Sequence, residues 1–127
     1  MPWMNFIAVG GGAVLGAWAR WGFSAILNPV FPTLPLGTLA ANLTGGLLIG
    51  IVMGLADPWN FSTTTRLLLI TGFLGGFTTF SAFSAETTTL LVRGQYGWAA
   101  AIIGLHVGGS ILMTFTGLLL VRALLAK

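Results

Sequence analysis

The stretch Leu36-Gly37-Thr38-Leu39-Ala40-Ala41-Asn42-Leu43-Thr44-Gly45-Gly46-Leu47-Leu48-Ile49-Gly50-Ile51-Val52-Met53-Gly54-Leu55-Ala56 contains no ionisable side chain. A helix of that length, rising about 1.5 Å per residue, is roughly 30 Å long, the thickness of a bilayer's hydrocarbon core. Prolines 29, 32 and 35 punctuate the chain before it, and Asp57-Pro58-Trp59-Asn60 closes it as a turn. Working outward, the same reading finds spans at about 3–27, 67–91 and 96–125. The third is preceded by Ser62-Thr63-Thr64-Thr65, any of which could cap its start, and Arg93-Gly94-Gln95 is a tight link to the fourth. Trp3, Trp59 and Trp98 fall at span ends, where indole rings prefer the headgroup level.

Bulk composition agrees. Of 127 residues, 56% are apolar and 6% charged, against about a quarter charged in soluble domains, and the mean hydropathy is +0.98. The fold class expected is an all-α membrane protein, a single domain (1–127) of four transmembrane helices with nothing left over for a soluble domain. The N-terminal stretch is too long and lacks the basic region of a cleaved signal peptide. The chain has no cysteine, which excludes disulfides and thiolate chemistry. Its net charge of +3 comes from scattered residues and suits lipid headgroups, not nucleic acid.

Charge does not orient the bundle. Arg66, Arg122 and Lys127 share one side, Arg93 and Arg20 the other. So small a bias fails to set a topology by the excess of cytoplasmic Lys and Arg. A chain that inserts both ways could pair with an inverted copy of itself, so an antiparallel homodimer is one expectation and orientation by a partner protein the other.

Within the spans, Gly46, Gly50 and Gly54, and likewise Gly12 and Gly16, recur every fourth residue. Such stripes let helices approach closely in lipid, and close packing is the reading taken. Arg20 and Glu86 stand out because a charge in hydrocarbon costs about 3 kcal/mol on insertion scales. Arg20, a turn from its helix end, either snorkels to the headgroups or faces a wet cavity and draws anions inward. Glu86 is a proton carrier, a cation ligand or a carboxylate held by Thr hydroxyls. His106, Ser110 and Thr114 form a polar stripe on the fourth span, read as a hydrated path in preference to interhelical glue. Thr38 and Asn42 lie one turn apart on the second span, and a buried amide needs partners.

The third span is the most irregular: Thr71-Gly72-Phe73-Leu74-Gly75-Gly76-Phe77-Thr78-Thr79-Phe80-Ser81-Ala82-Phe83-Ser84-Ala85-Glu86. Paired glycines followed by β-branched threonines weaken a helix. A break near the bilayer midplane would free carbonyls that must find a cation, a hydroxyl or water. Phe80 and Phe83 share one face. On spacing alone such a pair is packing, but the positive edge of a phenyl ring offers a second option, contact with a small hard anion in a dry path.

These residues resemble the Fluc (CrcB) family of small fluoride channels, over essentially the whole chain. Gly16-Ala17-Trp18-Ala19-Arg20-Trp21, Gly37-Thr38-Leu39-Ala40-Ala41-Asn42 and the third-span string from Gly72 to Glu86 carry the match. The resemblance implies passive export of toxic fluoride from the cytoplasm through two pathways of an antiparallel homodimer in the cell inner membrane. It implies that Phe80 and Phe83 turn ring edges to the ion, with Asn42, Thr79, Ser81, Ser110 and Thr114 on the pathway and Arg20 at its vestibule. Thr38, Glu86 and His106 are candidate lining residues. It further implies one structural sodium ion on the dimer axis, held by the carbonyls of Gly75 and Thr78. His106 departs from the family pattern and is given no role beyond lining.

Three rivals remain on the residues alone. A proton-driven multidrug exporter would need a carboxylate in the first span, which has none. A non-transporting membrane subunit would need no polar stripe. An enzyme would need a nucleophile–base pair, a metal cluster or a phosphate-binding loop, and one His with one Glu on different spans is poor support for that.

Overall fold

The computed structural model describes residues 2–127. Among them the elements are helical: α1 (Pro2–Leu27), a short 3-10 turn (Asn28–Val30), α2 (Leu36–Ala56), α3 (residues 63–77), α4 (Phe80–Val92) and α5 (Tyr96–Leu125). Three stretches are long and apolar enough to cross a membrane, with mean hydropathies of 1.9 for Leu36–Ala56, 1.5 for Thr63–Val92 taken across its interruption, and 1.7 for Tyr96–Leu125.

The surface is that of a lipid-solvated protein. Phe6, Trp18, Ile26, Val92 and Leu112 are all exposed, and exposed apolar area this extensive is foreign to soluble monomers. What is buried instead is small: Gly12 and Gly16 of α1, and eight residues of α2 that include Gly37, Gly45, Gly46, Gly50 and Gly54. α2 lies along α5, and α1 lies along α3. At both seams backbone meets backbone. A Cβ on Gly50 would run into the Thr114 carbonyl, and one on Gly117 into the Leu47 carbonyl. A Cβ on Gly16 would meet the Phe73 carbonyl, and one on Gly76 would sit 2.5 Å from the Ala13 carbonyl. The glycine stripes are therefore close-packing devices, as their spacing suggests.

The connections follow local chemistry. Asn28 does more than stop α1: its Oδ1 accepts from the backbone N–H groups of Gly37 (2.8 Å) and Thr38 (3.1 Å), two donors that α2's first turn would otherwise leave unpaired. Ser62 is the residue that caps α3, its Oγ accepting from the Thr65 N–H at 3.1 Å. The cap starts the helix at Thr63, four residues before the edge expected at Leu67, because a hydroxyl and not hydrophobicity sets that end. Asn60 (φ 51°) and Gly94 (φ 73°) take the left-handed conformations that reverse the chain after α2 and after α4. Arg66 ties the α2–α3 link with a 2.9 Å ion pair to Asp57, an exposed contact of small energetic weight.

Two stretches widen into π-helical turns, Leu67–Leu74 in α3 and Gly104–Gly108 in α5. Such turns concentrate at functional sites. Both of these border the cavity described next.

Candidate functional site

The helix of α3 stops at Phe77. Thr78 (φ −88°, ψ 156°) and Thr79 (φ −148°, ψ 111°) are extended, and α4 restarts at Phe80. The Thr79 hydroxyl begins the new helix by accepting from the Ala82 N–H at 3.1 Å. Two extended residues interrupt the helical ladder, and their backbone groups need other partners.

Thr78's N–H still reaches the Leu74 carbonyl at 2.9 Å, and Asn42 supplies the partners of Thr79. The Asn42 Oδ1 accepts from the Thr79 N–H at 2.8 Å and its Nδ2 donates to the Thr79 carbonyl at 3.0 Å, across 37 residues of sequence. The two contacts assign the amide: only oxygen can face an N–H, and only nitrogen can face a carbonyl. Nδ2 also lies 2.9 Å from Nδ1 of His106. One side chain of α2 thus joins the interruption to α5.

Arg20 is the second side chain at the break. Its Nε donates to the Gly76 carbonyl at 3.1 Å, a partner that the helix spacing did not name. The contact holds the guanidinium group against the end of α3, and Arg20 is not among the residues lining the main cavity. Thr79's N–H, which would reach the Gly75 carbonyl in an unbroken helix, is diverted to Asn42, and Ala82's N–H, which would reach Thr78, is diverted to Thr79 Oγ1. The carbonyls of Gly75 and Thr78 are left without their helical donors, and both residues line the cavity. Neutral, hard oxygens of this kind fit a monovalent cation such as sodium.

The cavity measures about 490 Å³. Asn42, Thr79, Phe80, Phe83 and His106 line one end, and Ser110 with Thr114 continues it along α5. Phe83 is buried and its ring stacks on His106, 4.8 Å between centroids. Phe80 is 75% exposed and also lines the cavity, with its ring 5.4 Å from Phe83 in an edge arrangement of 70°. The aromatic pair, the amide and the polar stripe, separated widely in sequence, share one wall.

Ser110 and Thr114 differ. The Thr114 hydroxyl is within reach of the Gly46 carbonyl (2.9 Å) and the Ser110 carbonyl (3.0 Å), so it stitches α5 to α2 as well as facing the cavity. Ser81 is exposed and pairs with the Thr79 hydroxyl at 3.2 Å, outside the cavity's lining. Thr38 and Glu86 form a separate cluster: the Thr38 hydroxyl donates to Glu86 Oε1 at 2.7 Å, while Asn28 Nδ2 stands 3.5 Å from the same hydroxyl. Glu86 borders a smaller cavity of about 220 Å³ with Arg93 and Gln95. Of its three candidate roles, a carboxylate held by a threonine hydroxyl matches this contact.

Ile49, Ile70, Leu74 and Gly45 also line the main cavity. Sequence reasoning had no means to select them, because each looks like any other apolar or small residue of a span.

Comparison with known proteins places this geometry in a family. The family model for CrcB-like protein, Camphor Resistance (CrcB), matches residues 7–118. A protein of Nitrosospira multiformis named fluoride-specific ion channel FluC is 60% identical over 116 residues, 91% of each chain. One of the same name from Cupriavidus taiwanensis is 54% identical over 122 residues, 95% of this chain and 97% of the relative. A third, from Aromatoleum aromaticum, is 55% identical over 114 residues, 88% of this chain and 86% of the relative. With a family model covering most of its length and relatives this similar from end to end, the chain belongs to the CrcB family.

Proposed function

We propose that this protein is a fluoride-selective channel that lets toxic fluoride leave the cytoplasm passively through the cavity at the Thr78–Thr79 interruption. The observation that carries the reading is the shared wall: Phe80 and Phe83 beside Asn42, followed by Ser110 and Thr114. Ring edges, an amide and hydroxyls offer partial positive charge without a fixed cation. That balance admits a small anion without trapping it. The channel name of the relatives supports the same reading, and supports transport over catalysis.

The same observations support a finer architecture. α1, at about 1.5 Å per residue, has the length to make a fourth crossing, so the interrupted α3–α4 segment is the third of four spans with its break near the midplane. The domain is the whole chain. The partner is a second, inverted copy: Phe80 lines the cavity yet is exposed on the single chain, and the Lys and Arg residues do not favour one insertion. A sodium ion at the carbonyls of Gly75 and Thr78 would supply a fixed positive charge at the dimer axis and link the two copies. Arg20 holds the end of α3 beside that point and so shapes the vestibule, and the inner membrane of the cell is the site of action.

Liposomes loaded with fluoride and carrying the purified protein test the function. Fluoride should leave when the voltage is collapsed, read with a fluoride electrode, while chloride stays; equal chloride flux or no efflux would contradict it. An imposed proton gradient should leave the rate unchanged, which separates a channel from an exchanger. Labelling of Lys127→Cys should reach some copies from each membrane face; labelling from one face alone would remove the inverted dimer.

A further inference from the structure

The loop 28–35 joins α1 to α2, and one of its residues is packed as if it belonged to a span. Val30 and Phe31 are exposed, whereas Leu34 is 4% exposed. It shares one apolar cluster with Phe83, Leu90, Ala99 and Ile102. Leu90 lies two turns beyond Phe83 on α4, and Ala99 and Ile102 stand in the first two turns of α5. The loop therefore sends a side chain back among the spans and completes the packing around the buried member of the aromatic pair. Several ties hold it there. Asn28 Oδ1 accepts from the first N–H groups of α2, those of Gly37 and Thr38. The Leu34 N–H donates to the Phe31 carbonyl at 3.2 Å, and the Phe31 ring lies 5.4 Å from that of Trp98. Pro32 and Pro35 flank Leu34 and fix φ on either side of it.

We infer that Leu34 is a positioning residue for fluoride passage: through this cluster it fixes the angle at which the Phe83 ring meets the main cavity. The inference rests on the reading of that cavity as a fluoride path. A phenyl ring is positive at its edge and negative on its face, so a tilt turns attraction for an anion into repulsion. The angle of the ring therefore matters as much as its presence. Two of the contacts on Phe83 are ring to ring, His106 stacked at 4.8 Å and Phe80 edge-on at 5.4 Å. Such contacts accept a range of angles, whereas a close-packed aliphatic cluster leaves no free volume for a tilt. None of residues 28–35 lines the main cavity, so Leu34 acts on the ion only through the ring.

His106, the sole histidine of the chain, is stacked on Phe83, so its carbon-13 and nitrogen-15 signals sense the ring current of Phe83. In untagged, histidine-labelled protein in lipid bilayers, Leu34→Ala should shift or broaden those signals. It should slow fluoride efflux from liposomes by about tenfold, since a group moved a fraction of an ångström from its aimed position loses much of its effect. Leu34→Met, which nearly keeps the volume, should keep the wild-type signals and a rate within about twofold of wild type. Val121→Ala supplies the comparison. Val121 is buried near the end of α5, outside that cluster, so its loss should lower thermal stability and leave efflux unchanged. Where the alanine variant does not fold, Leu34→Val should displace the His106 signals in the same direction and slow efflux to a smaller extent. Unmoved His106 signals or a wild-type rate in the folded variant would overturn the inference and leave the channel reading intact. So would Leu34→Met or Val121→Ala slowing efflux as much as Leu34→Ala. A wild type that passes no fluoride would remove the channel reading itself, and the role of Leu34 with it.

Discussion

Along α2 and α5, Gly46, Gly50 and Gly117 press backbone against backbone, whereas one turn before Gly46 the same two helices part around Asn42 and His106. In the seam the peptides run unbroken within their own helices, the Thr114 hydroxyl adds one polar stitch to the Gly46 carbonyl, and any added bulk collides. At the interruption the reverse holds. Thr79 has an N–H and a carbonyl that no helix serves, and one amide from α2 serves both. The contrast separates two kinds of sensitivity. The seam tolerates loss of polarity and not volume; the cavity wall tolerates changes of volume better than loss of a donor or acceptor.

The largest expected effect is in the seam. Gly50→Val puts a branched side chain where the Thr114 carbonyl already lies, and it should cost about 3 kcal/mol or more, from the upper end of the usual cost of overpacking upward, since the obstacle is backbone and not a flexible side chain. Size-exclusion profiles after heating in detergent should show loss of the folded species well below the wild-type temperature. Asn42→Leu comes next: it strands both the N–H and the carbonyl of Thr79, at roughly 1–3 kcal/mol for each buried group. It should lower thermal stability by at least about 2 kcal/mol while abolishing fluoride efflux. Thr38→Val removes one donor from Glu86 Oε1 and should destabilise by about 1 kcal/mol, with efflux largely kept, because that cluster lies outside the main cavity. Smallest is Gly97→Ala. A Cβ there meets nothing within 4 Å, and the melting temperature should hold to within about 0.5 kcal/mol of stability. A large loss at Gly97 would mean that a second copy closes over that face.

How much of this was legible in the residues differs between the two regions for a physical reason. Hydropathy and glycine spacing are local, repeating signals, and the close-packed seams follow from them. Ser62 was one of several hydroxyls able to start α3, and the weakness of the Gly75-Gly76 and Thr78-Thr79 stretch pointed to an interruption. The cavity wall is not local. Asn42 meets Thr79 across 37 residues and His106 across 64, and Arg20 meets Gly76 across 56. Such contacts depend on how far each helix slides along its neighbour. Helical periodicity names the face of a residue and leaves that register open. Arg20 shows the consequence: snorkelling and a wet cavity were the two options, and a carbonyl freed by another helix was the partner. The π-helical turns at Leu67–Leu74 and Gly104–Gly108 also shift faces in a way that a 3.6-residue pattern does not carry.

The proposed path depends above all on an aromatic edge at Phe83, and fluoride efflux from liposomes carrying Phe83→Ile is the most direct measurement of it. The account expects a rate at least about tenfold below wild type, more than the ~0.5–1.5 kcal/mol of ring–ring packing alone would explain at its lower end, from protein that elutes as the wild type does. Wild-type efflux from the isoleucine variant would show that the ring serves packing only and would contradict the account.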